Sequence, residues 1–267
     1  ALSNNTTVTL RDSELSYAEE SGISINGTGT TYTSTLMIER STIANNGTYG
    51  VYMNAAPTGV NHLSVFDSTI RDNGNTGIYV VRATTLQIVG NAINDNGNFA
   101  AYISSPNTQI SDVYSNSANG NRLNAIYIFG SLLGTSVLNA DIPYYFGTVT
   151  IPAGGQLQIG AGAIVKLGSS LTVFGSLVAE GTTNEKVYIT STKDDSVGGD
   201  TNGDGNATLP APGDWSYIYL REGASATFDH SIIRYGGSTY TYDERGSIYA
   251  PTNNTIVTLR DSEVSYA

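Results

Sequence analysis

The chain of 267 residues contains no cysteine, which excludes disulfides, thiolate metal sites and thiol nucleophiles. Only 13% of residues are charged, and the twelve Lys and Arg are outnumbered by twenty-three Asp and Glu, for a net charge of −11. That balance argues against nucleic acid and anionic membrane surfaces as partners. No run approaches the ~20 apolar residues of a transmembrane segment. The two histidines, His62 and His230, have no His, Asp or Glu at recognisable ligand spacing around them. No glycine-rich phosphate loop opens a helix, and no segment carries a convincing helical period.

What the sequence has in quantity is Gly, Asn, Thr and Ser, arranged in repeats. Residues 1–18, ALSNNTTVTLRDSELSYA, return as residues 250–267, APTNNTIVTLRDSEVSYA, with fourteen of eighteen positions identical. An offset of 249 residues divides the chain into a module at 1–249 and the start of a second copy at 250–267. The copy suggests a tandem array, hence a built object more than a single-site enzyme.

A shorter period runs inside the module. STIANNGTYGVYM, STIRDNGNTGIYV, NAINDNGNFAAYI and NSANGNRLNAIYI align on Asn46, Asn73, Asn96 and Asn121, at spacings of 27, 23 and 25 residues. Each repeat holds about three short strands of alternating pattern separated by polar turns. Strands this short cannot bury a face alone, so successive repeats must stack, at about 4.8 Å per coil. The pattern predicts an all-β solenoid of about ten to eleven coils, with Ile43, Ile70, Ile78, Val80 and Ile93 in the core. Residues 1–136 read as regular coils, and 137–249 as compact coils interrupted by a long polar loop near 191–214. At ~4.8 Å per coil a module would span about 50 Å.

These repeats resemble those of the right-handed parallel β-helix, the fold of the pectate-lyase-like superfamily. From Thr148 the sequence TVTIPAGGQLQIGAGAIVKLG through GGDTNGDG and PAPGDW to SIIRYGG resembles a segment of large repetitive secreted bacterial surface proteins. The resemblance implies a right-handed parallel β-helix at the cell surface or outside the cell. Members of the superfamily range from lyases and hydrolases to adhesins, so fold alone does not fix function.

Four side-chain patterns are candidates for function. Tyr52, Tyr79, Tyr102 and Tyr127 fall in one column with Ser24 ahead of them, an outward aromatic stripe that suits a polysaccharide, a neighbouring fibre or simply a stable exposed sheet. Asn46, Asn73, Asn96 and Asn121 are expected to form a structural ladder of side-chain amides. Ser13, Ser41, Ser68, Asn91 and Asn116 form a similar column. Asp72 and Asp95 share a register, but each sits in a D-N-G turn that favours Asp for local reasons.

The fourth pattern is the loop KDDSVGGDTNGDG, where Asp200, Asn202, Asp204 and Gly205 reproduce D-x-N-x-D-G, the opening of a calcium-binding loop. Position 12 holds Ala211, so Asp194, Asp195 or Asp214 would have to supply missing oxygens. A structural Ca²⁺ is therefore expected. Asn4, Asn5, Asn26, Asn46, Asn206 and Asn253 are in glycosylation sequons. The favoured reading is a non-enzymatic module of an extracellular fibre, stalk or adhesin that stacks head to tail with copies of itself. The alternative is a β-helix that binds or cleaves polysaccharide.

Overall fold

A computed structural model describes residues 5–27, 33–54, 58–240 and 243–267. All its regular structure is strand, so no helix among the described residues is long and apolar enough to cross a membrane. The chain divides into two compact units, residues 1–127 and 128–267.

The first unit is built of five coils, each contributing one strand to each of three parallel sheets. The first sheet runs through Thr6–Arg11, Ser34–Glu39, Asn61–Phe66, Thr85–Val89 and residues 109–114. The second runs through Glu14–Ser16, Thr42–Ala44, Thr69–Arg71, Ala92–Asn94 and Ser117–Asn119. Ile23–Asn26, Val51–Asn54, Ile78–Arg82 and the beginnings of Phe99–Tyr114 and Leu123–Leu132 form the third.

Parallel pairing in register places identical residue types above one another. Leu36, Leu63, Leu86 and Ile110 form one buried column, and Ile43, Ile70 and Ile93 another. Ile78 and Val80 are also fully buried, as the alternation of G-I-Y-V requires.

The corners are tight because a single residue turns the chain. Between the first and second sheets Asp12, Arg40, Asp67, Gly90 and Ser115 have φ between 45° and 72°. Asn45, Asp72, Asp95 and Gly120 do the same after the second sheet, with φ between 55° and 66°. Asn and Asp tolerate this left-handed conformation better than other side chains, which explains why the N-N-G and D-N-G corners recur.

The second unit has four complete coils and the beginning of a fifth. One sheet contains Thr135–Leu138, Gln156–Ile159, Ser176–Glu180, Ser225–Asp229 and Ile256–Arg260. Tyr144–Ile151 serves the other two sheets. Its residues 144–146 lead to Ile164–Leu167, Val187–Ser191, Ser231–Arg234 and Glu263–Ser265. Its residues 149–151 lead to Leu171–Val173, Ile218–Leu220 and Ile248–Tyr249. The described residues thus make nine full coils and part of a tenth, fewer than the ten to eleven expected from the repeat lengths.

Two excursions absorb chain without adding coils. No strand lies between Ser191 and Ile218, where the polar loop was expected. Ser238–Tyr240 and Asp243–Arg245 form an antiparallel hairpin that the repeat pattern does not signal.

The two sequence copies are also structural copies. Thr6–Arg11 and Glu14–Ser16 in the first unit correspond to Ile256–Arg260 and Glu263–Ser265 in the second. Their corners match as well, with φ of 45° at Asp12 and 43° at Asp261, and 61° at Tyr17 and 52° at Tyr266.

Candidate functional site

The tyrosine column lies on the outward face of the third sheet in the first unit. Tyr52, Tyr79 and Tyr102 are in register on successive strands, and Ser24 precedes them. The rings stack face to face, with centroids 5.9 Å apart for Tyr52–Tyr79, 4.9 Å for Tyr79–Tyr102 and 4.4 Å for Tyr102–Tyr127. Two residues the repeat alignment did not single out belong to the same cluster. Tyr49 lies 4.6 Å from Tyr79 and 5.5 Å from Tyr52, and Phe99 packs at 5.9 Å from Tyr102. Both stand three residues after the aligned asparagine, a position that Thr76 and Asn124 fill in the other two repeats. Burial, and then the neighbouring phenols, raise the pKa of Tyr79 and Tyr102. Because the ring faces are turned to one another, the stripe presents ring edges outward along most of its length.

The asparagine column faces inward at the corner. Asn46 donates through Nδ2 to Asn73 Oδ1 at 2.8 Å, Asn73 to Asn96 at 2.9 Å, and Asn96 to Asn121 at 2.8 Å. Each Oδ1 also accepts the backbone N–H of the preceding coil's asparagine. The other corner repeats the device, with Ser41 Oγ, Ser68 Oγ, Asn91 Oδ1 and Asn116 Oδ1 each accepting the N–H of the residue one coil before. Asp72 Oδ2 accepts from Arg71 at 2.5 Å, and both Asp72 and Asp95 sit exposed at left-handed corners.

The acidic loop of the second unit sorts its carboxylates into two kinds. Asp194 is buried and accepts from Thr190 at 2.5 Å, Ser196 at 2.6 Å and Arg234 Nε at 2.8 Å. Burial pushes the Asp194 carboxyl up, but these hydrogen bonds and the Arg234 charge outweigh it and hold it below the usual range. Asp214 accepts from Lys193 Nζ at 2.6 Å, Ser191 Oγ at 2.8 Å and the Ala211 N–H at 2.9 Å. These two aspartates tie the loop to the coils. Trp215 closes it, its indole N–H donating to the Arg234 carbonyl at 2.9 Å while its ring covers Gly236.

The remaining carboxylates, of Asp195, Asp200 and Asp204, each bring an oxygen within 4.8 Å of the others. Asp200 accepts the N–H groups of Gly203 at 2.6 Å and Gly205 at 2.8 Å, which offset its burial and lower its pKa. Asp195 has no such donors, so burial, then the charge of Asp200, raises its pKa. One buried oxygen of Asp195 and one of Asp204 have no hydrogen-bond partner. Asn202 braces the turn, donating to Asp204 Oδ2 at 3.0 Å. The donor set therefore suits a hard cation, with orphaned carboxylate oxygens where a hydrogen-bonded loop would have none.

Lys166 was not foreseen. It stands in register between Tyr145 and Thr190, fully buried beneath the loop, and its ammonium donates to the Gly199 carbonyl. Burial lowers its pKa to about 8, against the pull of Asp195, Asp194 and Asp200. In sequence it is only a lysine at an outward position of AIVKL, and nothing local marks it as covered.

Of the sequons, Asn5, Asn26, Asn206 and Asn253 are exposed, whereas Asn46 is 2% exposed and held in the asparagine column. Asn4 lies outside the described residues.

A family model described as the right handed beta helix region matches residues 1–142, just over half the chain. The chain belongs to that family. Its parallel sheets are those of a right-handed β-helix, the fold read from the repeats. No curated protein and no solved structure matches the chain. The family includes both enzymes and non-enzymes, and the match fixes the architecture without choosing between them.

Proposed function

We propose that this β-helix is a non-enzymatic structural module of a repetitive extracellular fibre, stalk or adhesin whose modules stack head to tail. The observation that carries the reading is the coil at 250–267, which repeats the first coil in sequence, strand placement and corner geometry. In the first coil Val8, Leu10 and Leu15 are covered by the next coil, opposite Leu36, Ile38 and Ile43. Their counterparts Val257, Leu259 and Val264 stand opposite Ala226, Phe228 and Ile233 of the coil before. One copy of this coil thus carries a following coil and the other rests on a preceding one, the two contacts that stacked modules need. Repetition of one such contact along one axis gives an open filament and no closed ring. Electron microscopy of native material is expected to show filaments, and fibre diffraction a meridional reflection at ~4.8 Å. Dispersed monomers that degrade polysaccharide would transfer the case to the enzyme reading.

The loop is read as a calcium site within that module, with Asp195, Asp200 and Asp204 as carboxylate donors and Asn202 bracing the turn. The cation would neutralise three clustered carboxylates and order a segment that has little core of its own. Calorimetry is expected to detect binding of one Ca²⁺ at roughly 10⁻⁴–10⁻³ M, the range of extracellular modules. Asp195→Asn and Asp204→Asn should each weaken it at least about tenfold, a loss of roughly 1.4 kcal/mol. Chelation should leave the β-sheet circular dichroism intact, because the coil-to-coil pairing does not pass through the loop. No heat of binding in the intact protein would reject the site.

A further inference from the structure

The tyrosine stack of the first unit has an unfinished end. Tyr79 has Tyr52 on one side and Tyr102 on the other, whereas the strand that precedes Tyr52 presents Ser24 in its place. A groove of about 460 Å³ opens there, lined by Glu20, Ser21, Ser24, Tyr49, Tyr52 and Tyr79 among others. Glu20 is exposed and makes no ion pair among the described residues.

We propose that this groove receives the guanidinium of an arginine side chain from a basic partner polypeptide. In the second unit arginine guanidiniums already lie on aromatic rings. Arg221 lies over Tyr219 at 4.7 Å and over Phe174 at 5.3 Å, and Arg234 lies over Tyr188 at 5.7 Å and over Tyr235 at 5.4 Å. In the first unit no arginine takes that position among the described residues. Arg82, the basic residue of the neighbouring row Asn26–Asn54–Arg82, donates instead to Asn54 Oδ1 at 2.8 Å.

A guanidinium is planar and about as thick as a ring, so it extends the stack at coil spacing with its face on the Tyr52–Tyr49 pair. Its edge N–H groups then meet the Glu20 carboxylate and the hydroxyls of Ser21 and Ser24. The net charge of −11 favours a basic partner over an acidic one at any distance. A neutral sugar would use the ring face but leave the carboxylate without a role. An anionic sugar would be repelled by it. The proposal stands independently of whether modules form a filament.

The test is a titration of the full chain, with ¹³C-labelled tyrosine rings observed by NMR, using N-acetyl-arginine amide, a tetra-arginine peptide and cellobiose as probes. The arginine probes are expected to shift the Tyr52 and Tyr49 resonances saturably. A single arginine should bind in the millimolar range, and the tetra-arginine peptide more tightly, with both weakened by salt. Glu20→Gln, an exposed change that leaves the coil intact, should weaken binding at least about fivefold. Tyr52→Ser, which continues the serine of the preceding coil, should abolish it without loss of sheet signal. Absence of shifts, equal affinity in E20Q, or response to cellobiose and not to arginine would each overturn the proposal.

Discussion

Replacing Gly74 by alanine is expected to break the stacking of the first unit at its middle. A Cβ at this position would lie 2.2 Å from the Gly47 carbonyl oxygen and 3.0 Å from its carbon, both backbone atoms of the preceding coil. The same column places a Cβ at Gly47 1.9 Å from the Glu19 oxygen and one at Gly97 2.3 Å from the Gly74 oxygen. No rotamer change relieves a contact between a Cβ and a peptide carbonyl, so the coils must separate by about an ångström. That lengthens the Gly74 N–H to Asn46 carbonyl bond, now 2.8 Å, and the Asn75 N–H to Thr48 carbonyl bond, now 2.7 Å. Overpacking costs typically about 1–3 kcal/mol, and the loss of two coil-to-coil bonds at the corner adds about 1 kcal/mol each. Gly246→Ala is the control, since its Cβ meets only the Ile248 oxygen at 3.9 Å and its φ is not left-handed. Guanidinium denaturation should show G74A destabilised by about 3–5 kcal/mol and G246A within ~0.5 kcal/mol of the parent. Equal midpoints would mean that the coils are not held at the spacing described.

The glycine column also explains why so much of this fold can be read from sequence. A solenoid places each residue in the environment of its counterpart one coil away, so any requirement of the corner is written several times over. Asn46-Gly47, Asn73-Gly74 and Asn96-Gly97 repeat because a side-chain amide must reach the next coil where no Cβ fits. Features that occur once have no such redundancy. The hairpin at 238–245 interrupts the coils with nothing before it to compare. Lys166 has the same alternation as exposed lysines, and only the loop laid over it makes it a buried cation. Within the loop, D-x-N-x-D-G marks an acidic turn, yet spacing could not assign Asp194 to Arg234 and Asp214 to Lys193, since those partners are up to forty residues away. Asp195 is left to join Asp200 and Asp204 by elimination in space, not along the chain. Tyr49 and Phe99 share one position of the repeat, but Thr76 and Asn124 stand there in the other two, so no aromatic column shows at that position.

Asn73→Ala should be nearly as damaging as the glycine change, for an electrostatic reason instead of a steric one. Asn73 Oδ1 accepts from the Asn46 backbone N–H at 3.2 Å and from Asn46 Nδ2 at 2.8 Å. Its Nδ2 donates to Asn96 Oδ1 at 2.9 Å and to the Ile43 carbonyl at 3.4 Å. Asn46, Asn73 and Asn96 are each 2% exposed, so water cannot replace the missing amide. Two donors on Asn46 lose their acceptor, and Asn96 and Ile43 each lose a donor. At about 1–3 kcal/mol for each buried group left unsatisfied, with some relaxation, the expected cost is on the order of 3–5 kcal/mol. Asn73→Asp keeps the acceptor but turns an anionic oxygen toward Asn96 Oδ1, so it should cost at least as much as alanine. The double variant N73A/N96A separates this mechanism from a simple loss of packing. If the amides act as one chain, the first deletion already leaves Asn96 Oδ1 with only the backbone N–H of residue 73, and removing Asn96 as well costs less than the sum of the single changes. Because stacked repeats can unfold in parts, hydrogen exchange at Asn46, Gly74 and Ala92 should accompany the denaturation curves. A coupling of about 1 kcal/mol or more, with protection lost first around these coils, is the expected result. Strict additivity with uniform loss of protection would show that the asparagines contribute volume and not a continuous hydrogen-bonded chain.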